Sequence, residues 1–313
     1  MKNAITDVPG VRVGQLTVAD GEIQTGVTVV LPYGPSVRHR KLFLGAFGGG
    51  RGGSFSGIEV TEDFGTFSSP IVLCNATTVG AAYDALITLG FRRDPELPTD
   101  DAWPPVVIGI DDGYLNDLRQ RRVGHDDVIK AIEGASEAAA PCGSVGIGRG
   151  LVALGAKGGV GGGASLARIG GAEYVVGALI AANGGAAVDP TKGSVRSASP
   201  GFVAIAATDA PLFPEDLRAL AEAALRGLDA GTPMSGADAR LALAFSTANV
   251  IDGSTAAPAS RLYEGHRVGE EGRAALCEAA ARAAREGLRR ALLEATAVTG
   301  KKGRTAAPHP RQP

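Results

Sequence analysis

The stretch Gly201-Phe202-Val203-Ala204-Ile205-Ala206-Ala207-Thr208 is the part of the sequence that decides the fold. It is a short, continuous apolar run that ends in turn residues, which is typical of a buried β-strand. A polar, turn-rich segment at residues 188–200 comes directly before it. The pattern predicts an exposed linker that leads into a buried strand, although a polar segment of this kind is most often an ordinary surface loop.

Other apolar runs of strand length lie on both sides of this stretch. They are separated by segments with helical spacing, so strands and helices alternate along the chain. Strands are predicted at residues 11–13, 26–31, 41–47, 71–75, 106–110, 143–154, 174–182 and 241–245, and helices at residues 79–89, 115–138, 214–228 and 268–298. The interleaving predicts an α/β protein, and 313 residues are near the upper limit for a single core.

Composition and charge exclude several classes of protein. The chain has 31 basic and 33 acidic residues, so it lacks the positive field that attracts nucleic acid or anionic lipid. No apolar run is long enough to cross a membrane or to act as a signal peptide. The three cysteines have no CxxC spacing, which disfavours a zinc site and a disulfide framework and favours the cytoplasm. The glycine-rich residues 48–53 are not followed by a helix, so no dinucleotide cofactor is expected.

The residues suited to catalysis do not form a familiar triad. The histidines lie singly and offer no convincing base for a serine, so a hydrolase would need a lysine or a freed terminal amine as its base. Lys157 stands among glycines that would bring its amine close to anything bound there, although a tight turn with an exposed lysine is the commoner explanation. Asn183 ends an apolar run and is either a buried amide in a site or part of a strand-end turn. Tyr114 follows a turn and could simply pack in the core.

Seven segments taken together resemble the DmpA-type L-aminopeptidase/D-esterase family, whose relatives include β-peptidyl aminopeptidases and nylon-oligomer hydrolases. The likeness follows chain order over about residues 3–250. Its segments are NAITDVPGVRVG (3–14), TGVT (25–28), DGYLND (112–117), KGGVG (157–161), YVVGALIAAN (174–183), ATDAPL (207–212) and AFSTAN (244–249).

This resemblance implies a four-layer α-β-β-α sandwich that is usually a homotetramer and needs no cofactor or metal. In the family an inactive precursor cuts its own chain before a serine or threonine, whose oxygen then attacks the substrate while its free amine serves as base. Lys157 and Asn183 would lie beside the nucleophile, Asn183 as an oxyanion donor, and Tyr114 would line the substrate pocket. We expect one domain over residues 1–299 and a basic, disordered tail at 300–313.

The sequence departs from the family at three places, the first of which is the linker at 188–200, which is shorter than relatives usually have. Counting seven residues back from Thr208 places the nucleophile at Gly201, which has no hydroxyl group. Two polar or acidic positions expected before the AFST segment fall on Asp238 and Arg240, and only Asp238 keeps that character.

Two functions therefore stay open. The first is an N-terminal-nucleophile aminopeptidase or amidase that acts on small peptides, amides or esters, with Ser199 as the preferred substitute nucleophile ahead of Ser197 and Ser194, and with Asp238 polarising the site. The alternative is an uncleaved, inactive relative that binds a small molecule or peptide. Acyl transfer is a more distant possibility that meets the same difficulty at Gly201.

Overall fold

The computed structural model describes residues 1–33, 40–48, 54–95, 104–184, 201–229, 240–252, 262 and 264–310. Five α-helices occur in this part of the chain: α1 (Ile58–Phe64), α2 (Val79–Arg93), α3 (His125–Glu133), α4 (Pro214–Asp229) and α5 (Glu270–Leu293). The strands are β1 (Arg12–Asp20), β2 (Ile23–Leu31), β3 (Lys41–Gly48), β4 (Ser54–Ser56), β5 (Thr66–Phe67), β6 (Ile71–Asn75), β7 (Val106–Ile110), β8 (Val152–Ala153), β9 (Ala156–Lys157), β10 (Gly159–Ile169), β11 (Ala172–Ala182), β12 (Phe202–Thr208), β13 (Arg240–Ile251), β14 (Val298–Thr299) and β15 (Thr305–Ala306).

Two large sheets organise these strands. The first has the order β1-β2-β6-β7-β4 and the second the order β10-β11-β12-β13-β3-β5. Most neighbours are antiparallel, but β6 runs parallel to β7 and β12 runs parallel to β13. Two small pairs, β8-β9 and β14-β15, complete the described sheets.

The side chains of each large sheet alternate between two apolar layers, as the period of a β-strand requires. On β12, Val203 and Ile205 face the first sheet, whereas Phe202 and Ala204 face α4 and α5. The outer face of the first sheet packs in the same way on α2 and α3. Two helix–sheet interfaces and one sheet–sheet interface thus separate four layers. This is the α-β-β-α sandwich that the family resemblance implies.

Alternate glycines of β10 allow α5 to lie directly on the second sheet. A Cβ atom on Gly161 would be 2.1 Å from the carbonyl oxygen of Gly287, and one on Gly163 would be 2.2 Å from that of Ala283. Backbone atoms of a helix cannot yield to a side chain at these distances. The glycines after Lys157 therefore serve helix packing rather than a bound ligand.

Three of the differences between the structure and the sequence prediction lie near the candidate site or its supporting elements. Only residues 125–133 of the predicted helix 115–138 are α-helical, because Arg121 has a φ of 43° and Gly124 is extended at the helix start. Residues 143–154 form a 3₁₀ turn and the short β8 instead of one strand, since Gly143 and Gly146 have positive φ values.

The third difference is the carboxy-terminal segment. We predict a disordered tail at residues 300–313, but residues 300–310 contact the body of the protein. Thr305 and Ala306 pair with β14, and the carbonyl oxygen of Ala307 accepts a hydrogen bond from the Lys157 backbone N–H at 2.7 Å. Ala306 is buried, so an apolar contact also holds this segment. Within the described ranges, no helix is long and apolar enough to cross a membrane.

Candidate functional site

Gly201 lies at the entrance to β12, next to the end of β11. The backbone N–H of Asn183 donates to the carbonyl oxygen of Gly201 at 2.7 Å. Gly184 has a φ of +81°, and a Cβ atom on it would lie 3.1 Å from the Cα of Gly201. Position 201 is therefore buried against a tight turn. Glycine has no side-chain hydroxyl that could attack a substrate there.

Asn183 holds its side-chain amide in a fixed orientation beside this position. Its Oδ1 accepts from the backbone N–H of Val152 at 3.2 Å, and its Nδ2 donates to the carbonyl oxygen of Asp111 at 2.9 Å. These two bonds join β8 and the loop after β7 to the end of β11. An amide nitrogen carries two hydrogens, and the second one on Nδ2 has no partner among the residues the structure describes.

Lys157 is completely buried, in contrast to the exposed lysine of a simple turn. Its Nζ donates to the carbonyl oxygens of Gly148, Gly158 and Leu151 at 2.6, 2.7 and 2.8 Å. An ammonium group has three hydrogens, and all three are used within the fold. Burial, together with the nearby positive charge of Arg149, lowers the pKa of Lys157 to about 7, while Asp112 opposes the shift. In this arrangement Lys157 fixes the backbone around β8 and β9.

Tyr114 is half-buried and packs on a small cluster formed by Leu115, Val298 and Ala306. Val152, the partner of Asn183, packs on the same cluster. The ring of Tyr114 therefore lies near the loops that hold Asn183, as a residue lining the pocket would. Whether it contacts a substrate remains a prediction.

Asp112 is a buried carboxyl in the turn before Tyr114. Thr25 donates to its Oδ2 at 2.6 Å, and the side-chain amides of Asn75 and Asn116 donate to its Oδ1. Desolvation raises the pKa of Asp112 to about 7, against these hydrogen bonds, which lower it. Its neighbour Asp111 carries the carbonyl that holds Asn183. One signal could have indicated this cluster, because Asn75 and Asp112 follow the carboxyl ends of two neighbouring parallel strands.

Arg240 occupies one of the two positions where the family resemblance predicts a polar or acidic group. It begins β13 and is paired in register with Phe202, the residue after Gly201. Its guanidinium group forms an ion pair with Asp229 at the end of α4. The other predicted residues, Ser199 and Asp238, lie outside the described part of the chain, as does the linker at 188–200. Within that part, no group of three or more His, Cys, Asp or Glu side chains is placed to hold a metal ion.

Comparison with known proteins identifies the family. The model of peptidase family S58 matches residues 3–306, and the chain belongs to this family. It is 30% identical to the beta-peptidyl aminopeptidase BapA of Sphingosinicella microcystinivorans over 97% of this chain and 84% of that protein. The enzyme of the same name from Sphingosinicella xenopeptidilytica is 31% identical over 80% of this chain and 70% of its own length.

Solved structures agree with this assignment. The L-aminopeptidase D-Ala-esterase/amidase of Ochrobactrum anthropi, described as a prototype of the serine aminopeptidases and a variant of the Ntn-hydrolase fold, superposes with a TM-score of 0.88 at 28% identity. The alignment covers 99% of this chain and 91% of that one. A Burkholderia beta-aminopeptidase gives a TM-score of 0.85 at 31% identity, over 98% of this chain and 90% of its own. The fold is therefore an Ntn-hydrolase sandwich.

Proposed function

We propose that this protein is a serine-type aminopeptidase or amidase that hydrolyses the bond after the amino-terminal residue of small peptides, amides or esters. The supporting observation is the fixed amide of Asn183, whose backbone pairs with Gly201 and whose second Nδ2 hydrogen has no partner among the described residues. A donor held in place in this way can stabilise the oxyanion that forms when a carbonyl is attacked. The names of the relatives make amides of α- and β-amino acids the first substrates to test.

The attacking oxygen is assigned to Ser199, because Gly201 has none. Two residues of extended chain span at most about 7 Å, so Ser199 is the nearest hydroxyl upstream of the strand head. Cleavage before Ser199 would free its α-amine to act as the base, and Asp238 would polarise the site. The three cysteines, which are free and have no CxxC spacing, support a reducing, cytoplasmic location.

The test is the mass of the purified chain under denaturing conditions, together with hydrolysis of the p-nitroanilides of alanine and β-alanine. Cleavage before Ser199 gives pieces of 198 and 115 residues. Ser199→Ala should keep the chain whole and abolish hydrolysis, whereas the control Ser197→Ala should leave both unchanged. If the wild-type protein hydrolyses these compounds and the Ser199→Ala variant hydrolyses them equally well, the assignment of the nucleophile is wrong.

A second candidate is an uncut member of the family that binds the same ligands without hydrolysing them. Two observations favour it: position 201 is a glycine at the strand head, and Arg240 beside it is committed to an ion pair with Asp229. In this case the wild-type chain stays whole and inactive. Gly201→Ser should then restore cleavage, with a new amino terminus at residue 201.

The Gly201→Ser variant also separates the causes of inactivity. If it stays whole with an unchanged circular dichroism spectrum, the departures at Asp238 and Arg240 or the linker at 188–200 are disabling as well. If the wild-type chain proves to be cut before Gly201 itself, neither candidate explains the chemistry.

A further inference from the structure

The carboxy-terminal segment, residues 298–310, packs beside the elements that carry the candidate site residues. The Lys301 backbone N–H donates to the carbonyl oxygen of Leu115 at 2.7 Å, next to Tyr114. Further along, Ala307 accepts from the backbone of Lys157, and the His309 ring lies 3.1 Å from the carbonyl oxygen of Ala153. The segment thus contacts both the loop of Tyr114 and the β8-β9 pair.

Arg304 is the cation that this segment places over Tyr114. The centre of its guanidinium group is 5.1 Å from the centre of the tyrosine ring, and Nη1 donates to the Tyr114 carbonyl oxygen at 3.3 Å. Stacking and the hydrogen bond restrict the side chain, although it is exposed to solvent. A guanidinium group has five N–H donors, and Arg304 uses one of them here.

Arg304 forms no ion pair within the described ranges of the chain. The acidic groups around the segment have other partners: Glu22 accepts from the Lys302 backbone at 2.8 Å, and Asp117 pairs with Arg119 at 3.1 Å. An oriented arginine with free donors suits a planar anion such as a carboxylate, which it can bind through two parallel hydrogen bonds.

We infer that Arg304 binds the carboxy-terminal carboxylate of the peptide ligand and so selects short peptides with a free carboxyl end. The inference rests on the proposed function, which places the amino-terminal residue near Asn183. Asn183 donates to the Asp111 carbonyl oxygen at 2.9 Å, Tyr114 is at most about 11 Å of chain further on, and the guanidinium centre of Arg304 lies 5.1 Å from the Tyr114 ring. A peptide of a few residues can span this distance, which makes short peptides the substrate class.

The test compares alanyl-alanine and β-alanyl-alanine with their carboxamides, which differ only in the terminal charge. Dissociation constants are measured by calorimetry on the full-length protein, or KM values if the compounds are hydrolysed. The free acids should bind about fivefold more tightly than the amides at low salt, and the preference should shrink as ionic strength rises. Arg304→Gln, which can keep the bond to the Tyr114 carbonyl, should abolish the preference, and Arg304→Lys should retain part of it.

Arg226→Ala is the matched control, because it removes an exposed arginine of an i,i+4 pair on α4 and leaves the site unaltered. Equal affinity for acids and amides in the wild-type protein, or a preference that survives Arg304→Gln, overturns the inference while the proposed function stands. If neither acids nor amides bind, the proposed function fails and the inference fails with it.

Discussion

Lys157 donates to three buried backbone carbonyl oxygens, and two of these, on Gly148 and Leu151, also accept from a backbone N–H. The family resemblance places it beside the nucleophile, and its sequence context of glycines indicates an amine near bare backbone. In the structure the amine fixes the backbone around β8. The backbone N–H of Val152 in β8 donates to Oδ1 of Asn183 and so orients the Asn183 side chain. The effect of Lys157 on the site therefore passes through the backbone.

Lys157→Met tests this role. The variant leaves the buried carbonyl oxygen of Gly158 without its donor and removes one of two donors from the oxygens of Gly148 and Leu151, so the free energy of unfolding should fall by about 1–3 kcal/mol. Urea denaturation measures the change, with Lys130→Met on the exposed face of α3 as control. A loss below about 1 kcal/mol, within the range of an ordinary surface substitution, would contradict a structural role for Lys157.

Asp112 predicts a dependence of stability on pH. Burial raises the pKa of the folded carboxyl from 3.8 to about 7. Between these pH values the unfolded carboxyl releases its proton while the folded one keeps it, so this group makes the folded state less stable as the pH rises from about 4 to 7. The unfolding free energy of the wild-type protein should fall relative to that of Asp112→Asn over this range. Urea denaturation at each pH gives the unfolding free energies of the two proteins. If these run parallel as the pH changes, the raised pKa of Asp112 is contradicted. Asp20→Asn serves as an exposed control.

The sequence indicates some of these residues and hides others for a physical reason. Asn183 and Tyr114 belong to local motifs, so the sequence marks them as candidates. Two of the three hydrogen-bond partners of Asp112 are 37 and 87 positions away, and only the pairing of strands brings Asn75 and Thr25 to it. Likewise, the three acceptors of Lys157 are backbone atoms, which no sequence pattern displays.

The secondary-structure elements follow local periodicity where the chain is regular. The apolar run at β12 and the acidic start of α4 predict those elements closely, because a buried strand and a capped helix have strong local signals. The predicted helix at 115–138 is wrong over most of its length, since its first part is fixed by contacts of Asn116 with Asp112 and Gln24 that lie outside its own periodicity.

Gly161→Ala tests the contact between β10 and α5. The new methyl group would meet the Gly287 carbonyl oxygen at 2.1 Å and the Ala291 nitrogen at 2.4 Å, so the helix must shift. We expect a loss of about 1–3 kcal/mol in the free energy of unfolding, measured by thermal or urea denaturation. The control is Gly80→Ala in α2, where a Cβ atom meets nothing within 4 Å and should stabilise the helix by about 0.5–1 kcal/mol. Equal stability of Gly161→Ala and wild type would show that α5 tolerates the methyl group.

The whole molecule is proposed to be a homotetramer, on the resemblance to its family. Light scattering after gel filtration should therefore give four times the chain mass of 31.6 kDa at micromolar concentration. A mass that stays at one chain across the accessible concentration range contradicts the proposal. The interleaved strands and helices predict the α/β class and the family resemblance implies the sandwich, whereas the assembly depends on surface complementarity, which the sequence pattern does not display.

The order of strands in the second sheet has a consequence for any chain cut between β11 and β12. The carboxy-terminal piece would contribute β12 and β13, which lie between β11 on one side and β3 on the other, both from the amino-terminal piece. The two pieces would interlock through backbone ladders on either side and could not separate without unfolding. The two pieces, expressed as separate polypeptides, should therefore associate and co-purify as one complex.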